Sequence, residues 1–248
     1  MKNLLYIFTT LLILSSCQKG VVLPEENPLF SQHENCEQTD EVKSLYEKDA
    51  AKLALELMKH DGVNTSDIQI PADYYQKAMD ALIVIYNATK MEARDVVINT
   101  YDIHVMDAPK RFMVSLDTAY PWTKNWIHGE EKTDNKLIDE LLEDNNLEIV
   151  EYFNFIETVV LEAEVPLNTD ALINTLNDIG GIKRAEYEQT AGDGNDIEIR
   201  PLDDYLEVTY SVGYGDCPSG CRFRSYWQFQ VFSDCTVEYV GNFGDPAP

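Results

Sequence analysis

The chain has 248 residues, 44% hydrophobic and 25% charged, with a formal net charge of -25. That balance excludes a disordered polymer, and charge repulsion excludes nucleic acid and anionic lipid headgroups as partners of its surface. The length allows one large domain or two small ones with a real core. At the N-terminus, Lys2 precedes an apolar run from Leu4 to Leu14, and Ser15-Ser16 lead to Cys17. These are the charged, apolar and small-residue parts of a secretory signal. The run is too short to cross a bilayer, which needs about 20 apolar residues.

Leu14-Ser15-Ser16-Cys17 resembles the lipobox of bacterial lipoproteins. The resemblance implies that residues 1–16 are removed as a signal peptide and that Cys17 becomes a first residue carrying palmitate-type acyl chains. Such chains hold a soluble body on a membrane without a transmembrane helix. An ordinary secretory signal containing a cysteine is the alternative. Gln18 stands where aspartate would favour inner-membrane retention, so the implied address is the cell envelope, at the outer membrane. Cys17-Gln18-Lys19-Gly20 matches the first half of the surface-export signal of Bacteroidota lipoproteins. Glu25 and Glu26 come late for its second half, and periplasmic and surface-facing placements both stay open. Residues 17–36, with Pro24 and Pro28 and no periodicity, read as a tether.

The expected fold class is α+β: a helical hairpin over 37–92, a ferredoxin-like middle over 93–190 and a disulfide-stapled antiparallel β segment over 191–248. Val42, Leu45, Tyr46, Ala50, Leu53 and Leu57 follow helical spacing after Thr39 as N-cap, and Gly62 ends the helix. Pro71 suits the first position of a second helix running to Tyr86, antiparallel to the first. An added strand is expected from Val96 to Met106. Then come a strand at Phe112–Leu116, a helix at Asp134–Asp144, and strands at Leu147–Phe153 and Thr158–Val165. A helix capped by Asn168 or Thr169 and stopped by Gly180-Gly181 follows, with a strand over Ile182–Glu188. The order is β-α-β-β-α-β, the split βαβ pattern. Ala191 to Asp196 reads as a polar turn rather than a calcium loop, because the EF-hand order is absent. Strands are expected at Tyr205–Tyr214, Ser225–Phe232 and Thr236–Asn242.

Two further resemblances concern the middle and the C-terminal part. Val159-Val160-Leu161-Glu162, Leu167-Asn168-Thr169-Asp170 and Gly181-Ile182-Lys183-Arg184-Ala185-Glu186 are similar to the second half of I9-type subtilase propeptide inhibitors. That likeness implies protease inhibition, although one scaffold hosts many functions. Gly213-Tyr214-Gly215-Asp216-Cys217-Pro218-Ser219-Gly220-Cys221, with Tyr226-Trp227-Gln228-Phe229 and Tyr101-Asp102-Ile103-His104, resembles a family of uncharacterised Bacteroidota exported lipoproteins. It implies an address and no activity.

With Cys17 set aside, Cys36, Cys217, Cys221 and Cys235 form an even set in an oxidising compartment, which favours two disulfides. Three pairings are open. Pro218-Ser219-Gly220 is turn chemistry that favours Cys217 with Cys221, leaving Cys36 for Cys235. A redox-active pair or zinc site is disfavoured by the spacing, so no cofactor or metal is expected. No nucleophile elbow, zinc-protease helix or phosphate-binding loop is present, and His33, His60, His104 and His128 stand apart. Tyr120, Trp122, Trp126 and His128 form the candidate ligand-binding segment, since aromatic loops stack on glycan or peptide. Core packing of the indoles is the competing reading. The expected role is therefore non-catalytic binding or scaffolding of an envelope protein or glycan, with a propeptide-like inhibitor and an envelope hydrolase as alternatives.

Overall fold

The computed structural model describes residues 35–63, 66–130, 132–188 and 193–248. Cys17, the signal segment, the tether up to residue 34 and His33 lie outside them. The first helix, α1 (Asp40–His60), opens where the Thr39 hydroxyl accepts the Val42 N–H, with Asp40 and Glu41 at the positive end of the helix dipole. It ends before Gly62, whose φ of +66° suits a residue without a Cβ. The second, α2 (Ala72–Asn87), begins one residue later than expected, because Pro71 keeps an extended ψ and serves as N-cap.

The expected strand from Val96 to Met106 does not form. Instead α3 (Glu92–Asp95) runs into a π-helical turn over Val96–Thr100, and Asp102 adopts a left-handed φ of +46°. Ile103 and Val105 do alternate into a core, as a strand would. Their backbone groups find other partners: Ile103 N–H bonds the Val97 carbonyl and Val105 N–H bonds the Asp49 carboxylate. A segment so satisfied has no need of a ladder.

Between residues 109 and 188 lies the β-α-β-β-α-β unit. Its strands are β1 (Arg111–Leu116), β2 (Leu147–Phe153), β3 (Thr158–Ala163) and β4 (Ile182–Tyr187), paired antiparallel in the order β2-β3-β1-β4. A short α4 (Thr123–Ile127), α5 (Lys136–Asp144) and α6 (Thr169–Asn177) accompany them. Phe112, Val114, Val159 and Leu161 meet Ile138, Leu141, Leu172 and Leu176 in one apolar core. Both long helices therefore cover the same sheet face. Val165, expected on that face, is exposed beyond the end of β3.

The remaining strands form a meander: β5 (Asp196–Pro201), β6 (Tyr205–Tyr214), β7 (Phe223–Phe232) and β8 (Val237–Gly244). Ile197, Val208, Tyr210 and Phe229 face the same core as Tyr46, Leu53, Leu57, Leu82 and Ile85. The helical hairpin and the C-terminal sheet thus share one interior, and the β-α-β-β-α-β unit is inserted between them in sequence. The edge of β5 is capped by α1, whose Lys52 ammonium donates to Ile197 O at 2.8 Å while Glu56 accepts from Ile199 N at 3.0 Å. These bonds occupy backbone groups that an exposed edge would offer to another chain. The loop before α2 touches both bodies, with Ile70 against the shared core, Ile68 against the inserted one, and Asn168 N–H on Ile68 O at 2.8 Å.

Two disulfides join Cys36 to Cys235 and Cys217 to Cys221. Their sequence separations are 199 and 4, so they restrict an unfolded chain very unequally. Replacing Cys36 and Cys235 together by alanine is expected to lower unfolding free energy by about 3–5 kcal/mol, against about 2 kcal/mol or less for Cys217 and Cys221. Urea denaturation of the two double variants measures the difference.

Candidate functional site

The aromatic segment closes on the inserted core. Trp126 is fully buried, and Trp122 meets it edge to face at 5.2 Å between ring centroids. The Trp122 indole N–H donates to Gly180 O at 2.8 Å, and its ring lies where a Cβ on Gly181 would come within 2.7 Å. A sugar ring or peptide therefore has no free indole face on which to stack. Tyr120 lies against Gly180 and is 44% exposed, and His128 is exposed at the end of α4. The four residues expected to act together are split between core and surface.

Asp193 and Asp196 are each neutralised by a cation of the chain. Arg224 pairs with Asp193, and Lys52 with Asp196 at 2.8 Å. Among the described residues no three His, Cys, Asp or Glu side chains are placed to hold a metal ion. No described helix is long and apolar enough to cross a membrane.

A buried polar cluster that the sequence does not announce lies between α1 and the turn after α3. Asp49, only 1% exposed, binds His104 Nδ1 at 2.6 Å through one oxygen and accepts Val105 N–H at 2.7 Å through the other. Asp102 stands 3.5 Å from His104 Nε2. The Asp49 hydrogen bond, reinforced by the charges of Asp49 and Asp102, raises the His104 pKa against a smaller opposing effect of burial. Burial likewise pushes the Tyr46 and Tyr210 phenols well above their ordinary value, keeping them neutral, and the Tyr210 hydroxyl has no hydrogen-bond partner among the described residues. Arg94 completes the cluster: its Nε donates to Tyr86 O at 2.7 Å and its guanidinium lies 4.9 Å above the Tyr86 ring.

A cleft of about 600 Å³, lined in part by Cys36, lies between α2 and the turns that join β5 to β6 and β7 to β8. Ala81, Val84, Leu206 and Val231 supply its apolar lining, and the Cys36–Cys235 disulfide forms part of one wall. Asp73 and Asp80 stand on the α2 side, Asp203 and Asp204 on the turn side. Asp80 is held in place by the Gln38 and Gln76 amides, which both donate to its Oδ1 at 2.6 Å. The spacing of Asp73, Gln76, Lys77 and Asp80 places them along one side of a helix and was legible in the sequence. That this stripe faces Asp203-Asp204 across a cleft was not.

Comparison with known protein families, curated proteins and solved structures gives no match for this chain. The functional reading therefore rests on its own residues.

His104 supplies a pH test. Its folded pKa lies above the unfolded value of 6.5, so its contribution to stability is complete below that value and fades as pH rises through the folded pKa. The stability advantage of the wild type over His104→Gln is expected to be largest below about pH 6.5 and to shrink as pH rises above it. Urea melts of both proteins on either side of that pH measure it, and a pH-independent difference would contradict the expectation.

Proposed function

We propose that this protein is a lipid-anchored component of the cell envelope that works by binding a partner, with the cleft beside Cys36 as its binding face. The observation that carries this reading is the disulfide from Cys36 to Cys235, which fastens the root of the tether to a wall of the cleft. The two disulfides suit an oxidising compartment. The lipobox-like Leu14-Ser15-Ser16-Cys17 supplies the anchor, and Gln18 favours the outer membrane. The chain from Cys17 to Cys36 can reach at most about 65 Å, so an acylated Cys17 keeps the cleft within that distance of the lipid surface. The bound partner would be an envelope protein or glycan.

A second reading, an I9-type protease inhibitor, draws on the antiparallel order β2-β3-β1-β4 of the inserted unit and on the sequence likeness over Val159–Glu186. Fold alone does not transfer that activity.

Cys17→Ala tests the anchor. Metabolic labelling with an alkynyl palmitate analogue is expected to tag the wild type and leave the variant unlabelled, and the variant should move from the membrane pellet to the soluble envelope fraction. Equal labelling of both proteins would end the acylation proposal.

A further inference from the structure

We propose that the cleft beside Cys36 binds a basic peptide segment of a partner protein, taking its lysine or arginine side chains between the acidic walls and its apolar side chains onto the lining. This rests on the binding reading above and names the chemistry of the occupant. Two properties of the cleft select it. The first is uncompensated charge. Asp73, Asp80, Asp203 and Asp204 face a single cation, Lys77, and none of the four is in an ion pair among the described residues. Some carboxylates elsewhere, Asp193, Asp196, Glu157 and Glu188 among them, each have an arginine or lysine partner. What distinguishes the four of the cleft is their placement: negative charge stands on two opposed walls of one concavity, where the fields of both walls add on an entering cation.

The second property is the lining itself. Ala81, Val84, Leu206 and Val231 offer apolar contact, flanked by the Tyr205–Phe232 ring pair at 5.6 Å and by Leu202, which is 40% exposed. An anion is repelled from such a site, and a neutral apolar ligand leaves the carboxylates unmatched. A bare metal ion would leave the lining unused. Charge on both walls matches more than one cation, and a volume of about 600 Å³ takes a few side chains rather than a folded domain. A peptide that carries spaced basic residues beside apolar ones satisfies all of these constraints.

The test measures fluorescence anisotropy on the full chain carrying Cys17→Ala, which removes the need for detergent. The probe is a labelled, end-blocked peptide of alternating lysine and leucine. It should bind, and a lysine-serine counterpart should bind at least tenfold more weakly. Asp203→Asn with Asp204→Asn should weaken binding tenfold or more, as should Leu202→Ser with the charges intact. Glu151→Gln with Asp178→Asn removes equal charge from exposed positions of the inserted unit, away from the cleft, and should leave binding unchanged. Unfolding midpoints of every variant establish that each is folded. Equal weakening by the two double variants would reduce the effect to general attraction by an acidic surface and overturn the proposal. So would an absence of binding, or competition by spermidine as effective as that of the unlabelled peptide. The assay takes no account of membrane attachment, so its failure is distinguishable from a failure of acylation at Cys17.

Discussion

The structure depends on burying one face of the helical hairpin against one face of the C-terminal meander. α1 and α2 present Tyr46, Leu53, Leu57, Leu82 and Ile85, and β5 to β8 present Ile197, Val208, Tyr210 and Phe229. A two-helix hairpin or an open meander alone leaves such a face in water, at a cost of about 25 cal/mol for each Å² of apolar surface. The contact joins segments far apart in sequence, so its formation closes a very long loop. The Cys36–Cys235 bond fixes that closure covalently, while Lys52 and Glu56 occupy the exposed edge of β5.

Buried charge appears where the chain leaves the shared core for the inserted unit. Asp49 reaches from α1 to the backbone of Val105 and to the ring of His104. An isolated carboxylate at that depth would be costly, and a hydrogen-bonded one is tolerated because both of its oxygens are used. The π-helical turn and the left-handed Asp102 bring His104 back toward α1, so the irregular backbone and the polar cluster are parts of one arrangement. In the inserted unit the indoles of Trp122 and Trp126 instead meet within an apolar core, and the Trp122 N–H is satisfied by Gly180.

What the sequence revealed follows the range of the interactions involved. Thr39, Asn168 and Gly62 mark helix ends through bonds and dihedrals a few residues away, and each stands where local chemistry placed it. The α+β class and the alternation of β1 were legible for the same reason. β5 was missed because only Ile197 and Ile199 carry its pattern and Asp196 reads as the end of a turn. Residues 96–106 misled in the opposite sense, since Ile103 and Val105 alternate into a core without a strand partner. Asp49 looks like any acidic helix residue until His104, 55 positions later, is placed beside it. The acidic cleft was equally hidden, because Asp80 and Asp203 meet only when the hairpin and the meander do.

The nested order of the chain also bears on its biogenesis. Synthesis proceeds from the N-terminus, so the apolar face of α1 and α2 is complete while the strands that cover it are still unmade. The inserted unit can close its own core in the interval, since its strands and helices are contiguous. The hairpin must wait, and Cys36 has no native partner until the chain has been made as far as Cys235, just after β7. For as long as that lasts the nascent protein carries exposed apolar surface, which a holding chaperone would be suited to shield.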